Sequence, residues 1–484
     1  MNNNKNKSKE SLKKTITKMT PAVLTAMIAT ALGFVSLYAS PVPMIQDFGK
    51  MLTIGLIVSF VLGVFLLIPI LFTRDYFFSE DKVVQPKQLQ KKKPSKTDRV
   101  FDWITRKTIA LRWVIIILAA GTAAFGIWVD LDAEAETDME TFMPQDTKEL
   151  DDILKLREVL GTTDQISIVY ESEDIYSDDV NSWVDGLTES AKTEFPDVVV
   201  NTNSLTSLLK QMNGDELPVG QAFEKGVAAV PDDQLKLFLN EPETKGVITI
   251  GIKHLEAKEL GVFLDDLEVY MESGSLDTVQ TTITGKAVLD VEMVRGLTTG
   301  RYKMTLLGMG LVFLSLLVIY RNFVKALIPL FPITFIIGWS GLIMHFLGMS
   351  YTPLTATLGA LIIGIGTEFT VLIMERFYEE REKGYNSREA IQMANKNIGK
   401  AILISAITTI GGFSALLISD FVILNNFGLM TLINISLALF STLIVMPPVL
   451  IILDRFVKIK QTSVKLPIQV EHGKKLITTS KGVL

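Results

Sequence analysis

Eight long apolar runs constrain this chain more than any other feature, because about 20 apolar residues in a helix are enough to cross the hydrocarbon core of a bilayer. They fall near 21–40, 48–72, 113–129, 304–320, 326–347, 352–374, 401–419 and 427–453. With 48% hydrophobic residues and a mean hydropathy of +0.34, the 484-residue chain is too apolar for a set of soluble domains alone. Lys and Arg gather from Arg74 to Arg112 (including Lys91, Lys92 and Lys93), at Arg321 and Lys325, from Arg376 to Lys400, and after Asp454. The positive-inside rule assigns all four groups to the cytoplasm, and eight alternating crossings satisfy every assignment. The reading is a multi-pass protein of the cytoplasmic membrane, with its basic loops and both termini in the cytoplasm. Met1 to Lys18 is polar and the first apolar run is long enough for a retained span, so no signal peptide is read.

The net charge of −6 conceals a division. Residues 130–300 carry 37 acidic and 12 basic residues, a net of −25, which leaves +19 for the rest of the chain. On this topology the acidic segment lies outside the cell, between the third and fourth spans. It reads as a folded α/β domain. Ile166, Ile168 and Tyr170 alternate as a half-buried strand does; Trp183, Val184, Leu187 and Ala191 follow at helical spacing; Val198 to Val200 make a second strand. The unit recurs, with alternation over Val247 to Lys253, a helical face of Leu260, Phe263, Leu264 and Leu267, and a β-branched run from Thr278 to Thr284. Residues 203–243 between the two units read as a helical insertion.

Several function classes are excluded or made improbable by composition. Without Cys there are no disulfides, thiolate metal sites or cysteine nucleophiles, and His254, His345 and His472 stand far apart. No G-x-x-x-x-G-K-[ST] phosphate loop occurs, so work done by this chain draws on a source other than its own ATP hydrolysis.

An internal repeat is the most informative pattern. Shifted by 379 residues, 22–75 aligns with 401–454 without a gap and matches at 15 of 54 positions. The matches include Gly33-Phe34 with Gly412-Phe413, Phe48-Gly49 with Phe427-Gly428, Pro69 with Pro448, Leu71 with Leu450 and Asp75 with Asp454. Upstream, Ser8, Glu10 and Leu12 fall on Ser387, Glu389 and Ile391. Duplicated membrane bundles are common among transporters.

Chemistry concentrates in the sixth span. Glu368 precedes the polar residues Glu375 and Arg376 by about seven positions, roughly 10 Å of helix, which places it inside the apolar layer, where a charge costs a few kcal/mol unless protonated, paired or hydrated. Ala356, Ala360, Gly364 and Glu368 recur every four residues, a small-residue strip that admits a close neighbour. In the seventh span Ser405, Thr408, Thr409 and Gly412 form a second small, hydroxylic strip. The two strips are expected to meet, with a Thr hydroxyl bonding the carboxyl or holding a water beside it.

The run Gly364 to Gly384, the Thr408-Thr409-x-x-Gly412-Phe413 and Phe427-Gly428 elements, and the repeated Pro69 and Pro448 resemble the resistance-nodulation-division (RND) superfamily. The resemblance is closest to its hydrophobe/amphiphile efflux-3 branch and extends to the mycobacterial large membrane proteins. It implies a proton-driven exporter, not an enzyme, built from twelve helices with twofold repetition and porter domains of strand-helix-strand units. The fold class expected here is a polytopic α-helical membrane protein of about eight transmembrane helices with one extracytoplasmic α/β porter-like domain. The segments are a cytoplasmic helix (1–20), the last two helices of a first membrane repeat (21–75), a basic cytoplasmic linker (76–112), a transmembrane helix (113–129), the porter domain (130–303), a five-helix remainder of the second repeat (304–454) and a cytoplasmic tail (455–484).

The resemblance also assigns roles. The family's intramembrane acid falls on Glu368 and its following aromatic on Phe369, although many members carry Asp-Tyr where this chain has Glu-Phe. The expected proton relay is Glu368, Thr408 and Thr409, with Ala356, Ala360, Gly364, Gly366, Phe369, Ser405 and Gly412 packed around it. Protons are the coupling ion and no other cofactor is expected. The partners expected are membrane lipids and a hydrophobic or amphiphilic substrate, with no nucleic acid. Because the repeat counterpart of Glu368 falls 11 residues before Met1, the chain reads as the C-terminal two thirds of a repeated protein, completed by a missing N-terminal half or a second copy. The competing readings are a non-transporting lipid sensor or assembly factor, and an accessory subunit of protein secretion.

Overall fold

The computed structural model describes residues 21–67, 69–70, 73–74, 96–133, 135–136, 139–160 and 164–457. The helix expected over 1–20, with Ser8, Glu10 and Leu12, lies outside them, as do Leu71, Asp75, the Lys91 to Lys93 run and the tail beyond 457.

Among the described residues eight helices are long and apolar enough to cross a membrane: Pro21–Ala39, Pro43–Leu66, Arg112–Asp130, Gly300–Tyr320, Phe323–Phe346, Thr355–Glu382, Ser387–Ile418 and Val422–Phe456. They are called the first to eighth spans below. The third and fifth approach most closely, and glycine makes this possible. A Cβ on Gly126 would collide with the Gly338 carbonyl, and one on Gly338 with the Ala123 carbonyl, so the two backbones touch as in other small-residue crossings. Beside the crossing Trp339 Nε1 donates to Thr122 Oγ1 at 2.9 Å.

The structure repeats as the sequence does. Each copy has a helix ending in a 3-10 turn (Ser36–Ala39 and Ser414–Ile418), then a helix (Pro43–Leu62 and Val422–Phe440) that passes into a π segment (Gly63–Leu67 and Ser441–Val445). A Cβ on Gly49 would lie 2.7 Å from Leu37 Cβ, and one on its mate Gly428 2.7 Å from Leu416 Cβ, the mate of Leu37.

Between the third and fourth spans sits the α/β domain. Its strands are β1 (Asp164–Glu171), β2 (Val199–Asn203), β3 (Lys245–Ile252) and β4 (Gln280–Thr284), within the segments that alternate in sequence. They form one sheet in the order β2-β3-β1-β4 with every pair antiparallel. Helices Asp178–Glu194 and Ala257–Ser273 connect β1 to β2 and β3 to β4, giving the split β-α-β arrangement. Period-2 alternation turns Ile166, Ile168 and Tyr170 of β1 and Ile248, Ile250 and Ile252 of β3 to one face, where Val180, Val184, Leu187 and Ala191 of the first helix and Leu260, Phe263, Leu264 and Leu267 of the second join one core. Trp183 is only half-buried; its Nε1 donates to the Gly274 carbonyl at 2.8 Å. The insertion consists of short helices at Leu205–Met212, Gln221–Ala229 and Asp232–Leu235.

Two segments differ from the expected division. A single 35-residue helix, Lys286–Tyr320, runs from the domain into the fourth span, so no structural break falls at 303. Its first half lacks proline and buries Ala287 and Val291 in the domain core, and nothing in it interrupts the backbone ladder. Within the segment read as a linker, Lys96–Ala110 is a helix. It buries Phe101, Thr105 and Ile109; Phe101 fills the space beside Gly399, and Thr105 Oγ1 accepts from Asn395 Nδ2 at 2.8 Å.

Candidate functional site

The sixth span lies at the centre of the bundle, in contact with the first, fourth, fifth, seventh and eighth. Its small residues are the reason it fits. Gly364 is covered by Thr30 and Phe34 of the first span, and Thr30 Oγ1 donates to the Gly364 carbonyl at 3.0 Å. Gly33 in turn faces Ile363, the Gly364 amide and the Ala360 carbonyl. Ala356 and Ala360 are buried with Leu37, Val42, Ile45, Leu297 and Met304. A Cβ on Gly366 would lie 3.1 Å from Ile333 Cγ1 of the fifth span, and Phe369 is buried in the bundle core. The buried hydroxyls of Thr367 and Thr370 donate to carbonyls of their own helix, those of Ile363 and Gly366, which satisfies them without a neighbour.

The Glu368 side chain, one turn beyond Gly364 on the same strip, is exposed, and it makes no hydrogen bond or ion pair among the described residues. The seventh span's strip is similarly open: Ser405, Thr408 and Gly412 are exposed, Thr409 is half-buried, and a Cβ on Gly412 would meet nothing within 4 Å. Thr408 and Thr409 donate at 2.9 Å to the carbonyls of Ile404 and Ser405. The expected meeting of the two strips is therefore corrected. The strip Ala356, Ala360 and Gly364 is occupied by Thr30, Gly33 and Phe34, which are the repeat mates of Thr409, Gly412 and Phe413. A helix 360° apolar offers no contrast by which its faces can be assigned from sequence.

A second cluster was not singled out in the sequence. Asp130 ends the third span and Arg301 stands in the first turn of the fourth, and the two are 4% and 6% exposed. Arg301 Nη1 donates to Asp130 Oδ2 at 2.5 Å and Nη2 to the Asp130 carbonyl at 2.9 Å. Tyr302 donates to Oδ2 at 2.6 Å, and Tyr351, from the turn before the sixth span, donates to Oδ1 at 2.7 Å. The guanidinium lies 3.7 Å from the Tyr351 ring centroid. Burial, the largest influence, holds the Tyr351 phenol well above its ordinary value, so it remains a donor at physiological pH. Gly341 leaves room for the carboxyl, since a Cβ there would lie 2.6 Å from Asp130 Cγ. The available signal was positional: two opposite charges at the ends of the third and fourth spans that adjoin the acidic segment.

At the opposite end of the sixth span Arg381 Nε pairs with the buried Asp454 at 3.0 Å, and Ser387 Oγ donates to the same carboxylate at 2.6 Å. Among the described residues no group of three or more His, Cys, Asp or Glu could hold a metal ion.

Residues 264–467, which include both the sixth span and its open carboxyl, match the MMPL family. The match bears out the resemblance to the RND superfamily, and the relatives agree with it. The membrane protein MJ1562 of Methanocaldococcus jannaschii is 24% identical over 356 residues, 71% of this chain and 90% of that protein. The sulfolipid-1 exporter MmpL8 of Mycobacterium tuberculosis is 22% identical over 204 residues, 41% of this chain but 18% of the exporter. Among solved structures, the hedgehog release protein Disp of the water bear Hypsibius dujardini superposes with a TM-score of 0.63 at 13% identity, over 90% of this chain and 58% of that one. The match thus covers less than a fifth of the mycobacterial relative, and the superposition a little over half of the solved one. At the level of the family, these likenesses support transport of lipids or hydrophobic molecules.

Proposed function

We propose that this chain takes part in export of hydrophobic or amphiphilic molecules or lipids across the cytoplasmic membrane, driven by protons moving down their gradient. The observation that carries the reading is Glu368: a carboxyl in the apolar layer, exposed on the most enclosed helix, with no partner among the described residues. A charge left there in hydrocarbon costs a few kcal/mol, so the group is either protonated or covered by something polar. A carboxyl that alternates between those conditions is the element proton coupling needs, and each proton returning through the membrane supplies roughly 2.3 kcal/mol per 100 mV. The open strip of Ser405, Thr408 and Gly412 supports a further part of the reading, that another helix covers this side. Its repeat mates on the first span hold just such a helix, the sixth. That helix comes from a second half of the assembly or from a second copy, with the α/β domain on the outer side as the porter domain.

Glu368→Gln in the complete assembly tests the mechanism. Substrate-dependent proton flux and export in vesicles are expected to vanish while membrane insertion is unchanged; undiminished export would overturn proton coupling at this residue.

A further inference from the structure

The α/β domain is attached to the bundle by two covalent stems, one leaving the third span at Asp130 and one entering the fourth span at Arg301. These are the two residues of the buried ion pair, 171 positions apart in sequence. Both oxygens of the Asp130 carboxylate are occupied, Oδ2 by Arg301 and Tyr302 and Oδ1 by Tyr351. Tyr351 belongs to neither stem. It lies in the turn that leads into the sixth span, and it also grips the first stem through the backbone: the Glu136 amide donates to the Tyr351 carbonyl at 2.8 Å, and Ala135 and Tyr351 form a parallel bridge.

From Tyr351 to the sixth span the path is stiff. The Thr352 amide donates to Thr355 Oγ1 at 2.7 Å and the Thr355 amide returns a bond to Thr352 Oγ1 at 3.1 Å, closing the last turn before the helix that carries Glu368. Buried groups held by several bonds at once, as Asp130 is, do not yield gradually; they hold one arrangement or exchange it for another. A shift or rotation of the sixth span therefore acts on Tyr351, through it on Asp130, and through Asp130 on both stems at once.

We propose that Asp130, Arg301 and Tyr351 are positioning residues that form the joint through which movement of the sixth span reaches the α/β domain. The inference rests on the transport reading above, in which Glu368 changes protonation during the cycle. Tyr351→Phe is the informative variant, because it removes one bond to Asp130 and leaves no buried charge unpaired.

Two readouts test the joint. Hydrogen exchange, measured on the full chain in membranes, compares the stems (131–136 and 301–304) in four proteins: wild type, Glu368→Gln, Tyr351→Phe and the double variant. Glu368→Gln is expected to change stem exchange by between about twofold and thirtyfold when Tyr351 is present, and not in the Tyr351→Phe background. Stems insensitive to residue 368, or equally sensitive in both backgrounds, would overturn the joint. Where wild type exports with proton flux, Tyr351→Phe is expected to lose export while gradient-driven flux continues, with a fall in melting temperature no larger than the loss of one hydrogen bond gives. Parallel loss of export, flux and thermal stability would mark the cluster as structural only. An absence of proton flux in wild type, with the exchange coupling intact, would remove the transport mechanism and leave the joint.

Discussion

Phe48 and Phe427 stand 379 residues apart, the offset of the internal repeat, and their rings meet edge to face with centroids 5.8 Å apart. Equivalent residues of the two copies thus touch one another, each followed by a glycine that packs on the equivalent leucine of its own copy. Gly49→Ala and Gly428→Ala are each expected to destabilise the protein by about 1–3 kcal/mol through overpacking, and by amounts within a few-fold of each other, because each new Cβ would lie 2.7 Å from the Cβ of the equivalent leucine. Thermal denaturation in detergent checks this. Unequal penalties of more than a few-fold would mean that the two copies are packed differently.

The crossing of the third and fifth spans admits less change. Gly338→Val puts a branched side chain where a single Cβ already collides with the Ala123 backbone, and the expected result is loss of folded, monodisperse protein. Thr122→Val, which removes only the acceptor for Trp339, is expected to cost about 1 kcal/mol. Comparable yields of folded protein for the two variants would contradict the close backbone approach.

Alkaline pH probes the α/β domain. Tyr170 is buried on β1, and burial pushes its phenol above the ordinary value. Its folded-state value is the raised one, so its contribution is fully present below the unfolded tyrosine value of about 10 and is lost as pH rises from there toward the folded value. Proteolysis of the segment 164–284 is expected to accelerate above about pH 10, and Tyr170→Phe to move the onset upward. An onset unchanged in the variant would show that another group governs it.

Asp454 is buried between Arg381 and Ser387. Asp454→Ala leaves the guanidinium without its partner and is expected to cost about 3–5 kcal/mol, whereas Ser387→Ala removes one hydrogen bond, about 1 kcal/mol. Melting temperatures of the two variants, and of a double Arg381→Met, Asp454→Leu variant that should recover most of the loss, decide the matter.

What the residues disclosed, and what they withheld, follows from the range of each signal. The eight spans and the four strands are local patterns, a run length in one case and an alternation in the other, and they can be read wherever they occur. The partner of Gly364 is not local. Its small strip announces a close neighbour without saying which, and Thr30 and Gly33 fill it from 334 and 331 positions away. The pairing of Asp130 with Arg301 depends on two span ends being brought together by a domain inserted between them. Glu368 was legible as an intramembrane acid, but its exposure was not, since the apolar residues of the sixth span are spread around the helix and single out no face. The run-through of Lys286–Tyr320 was hidden because hydropathy changes at 304 while helix geometry does not.

The π segments carry a record of history. In each copy the second helix loosens to five-residue hydrogen bonding within one position of the same place, Gly63–Leu67 in one and Ser441–Val445 in the other. Such segments are rare, and each is a helix that has taken in one residue more than its regular winding holds. Two separate insertions at one register would require the same accident twice. A single insertion in the ancestral unit, before it was doubled, accounts for both, and it dates the irregularity as older than the duplication that built the chain.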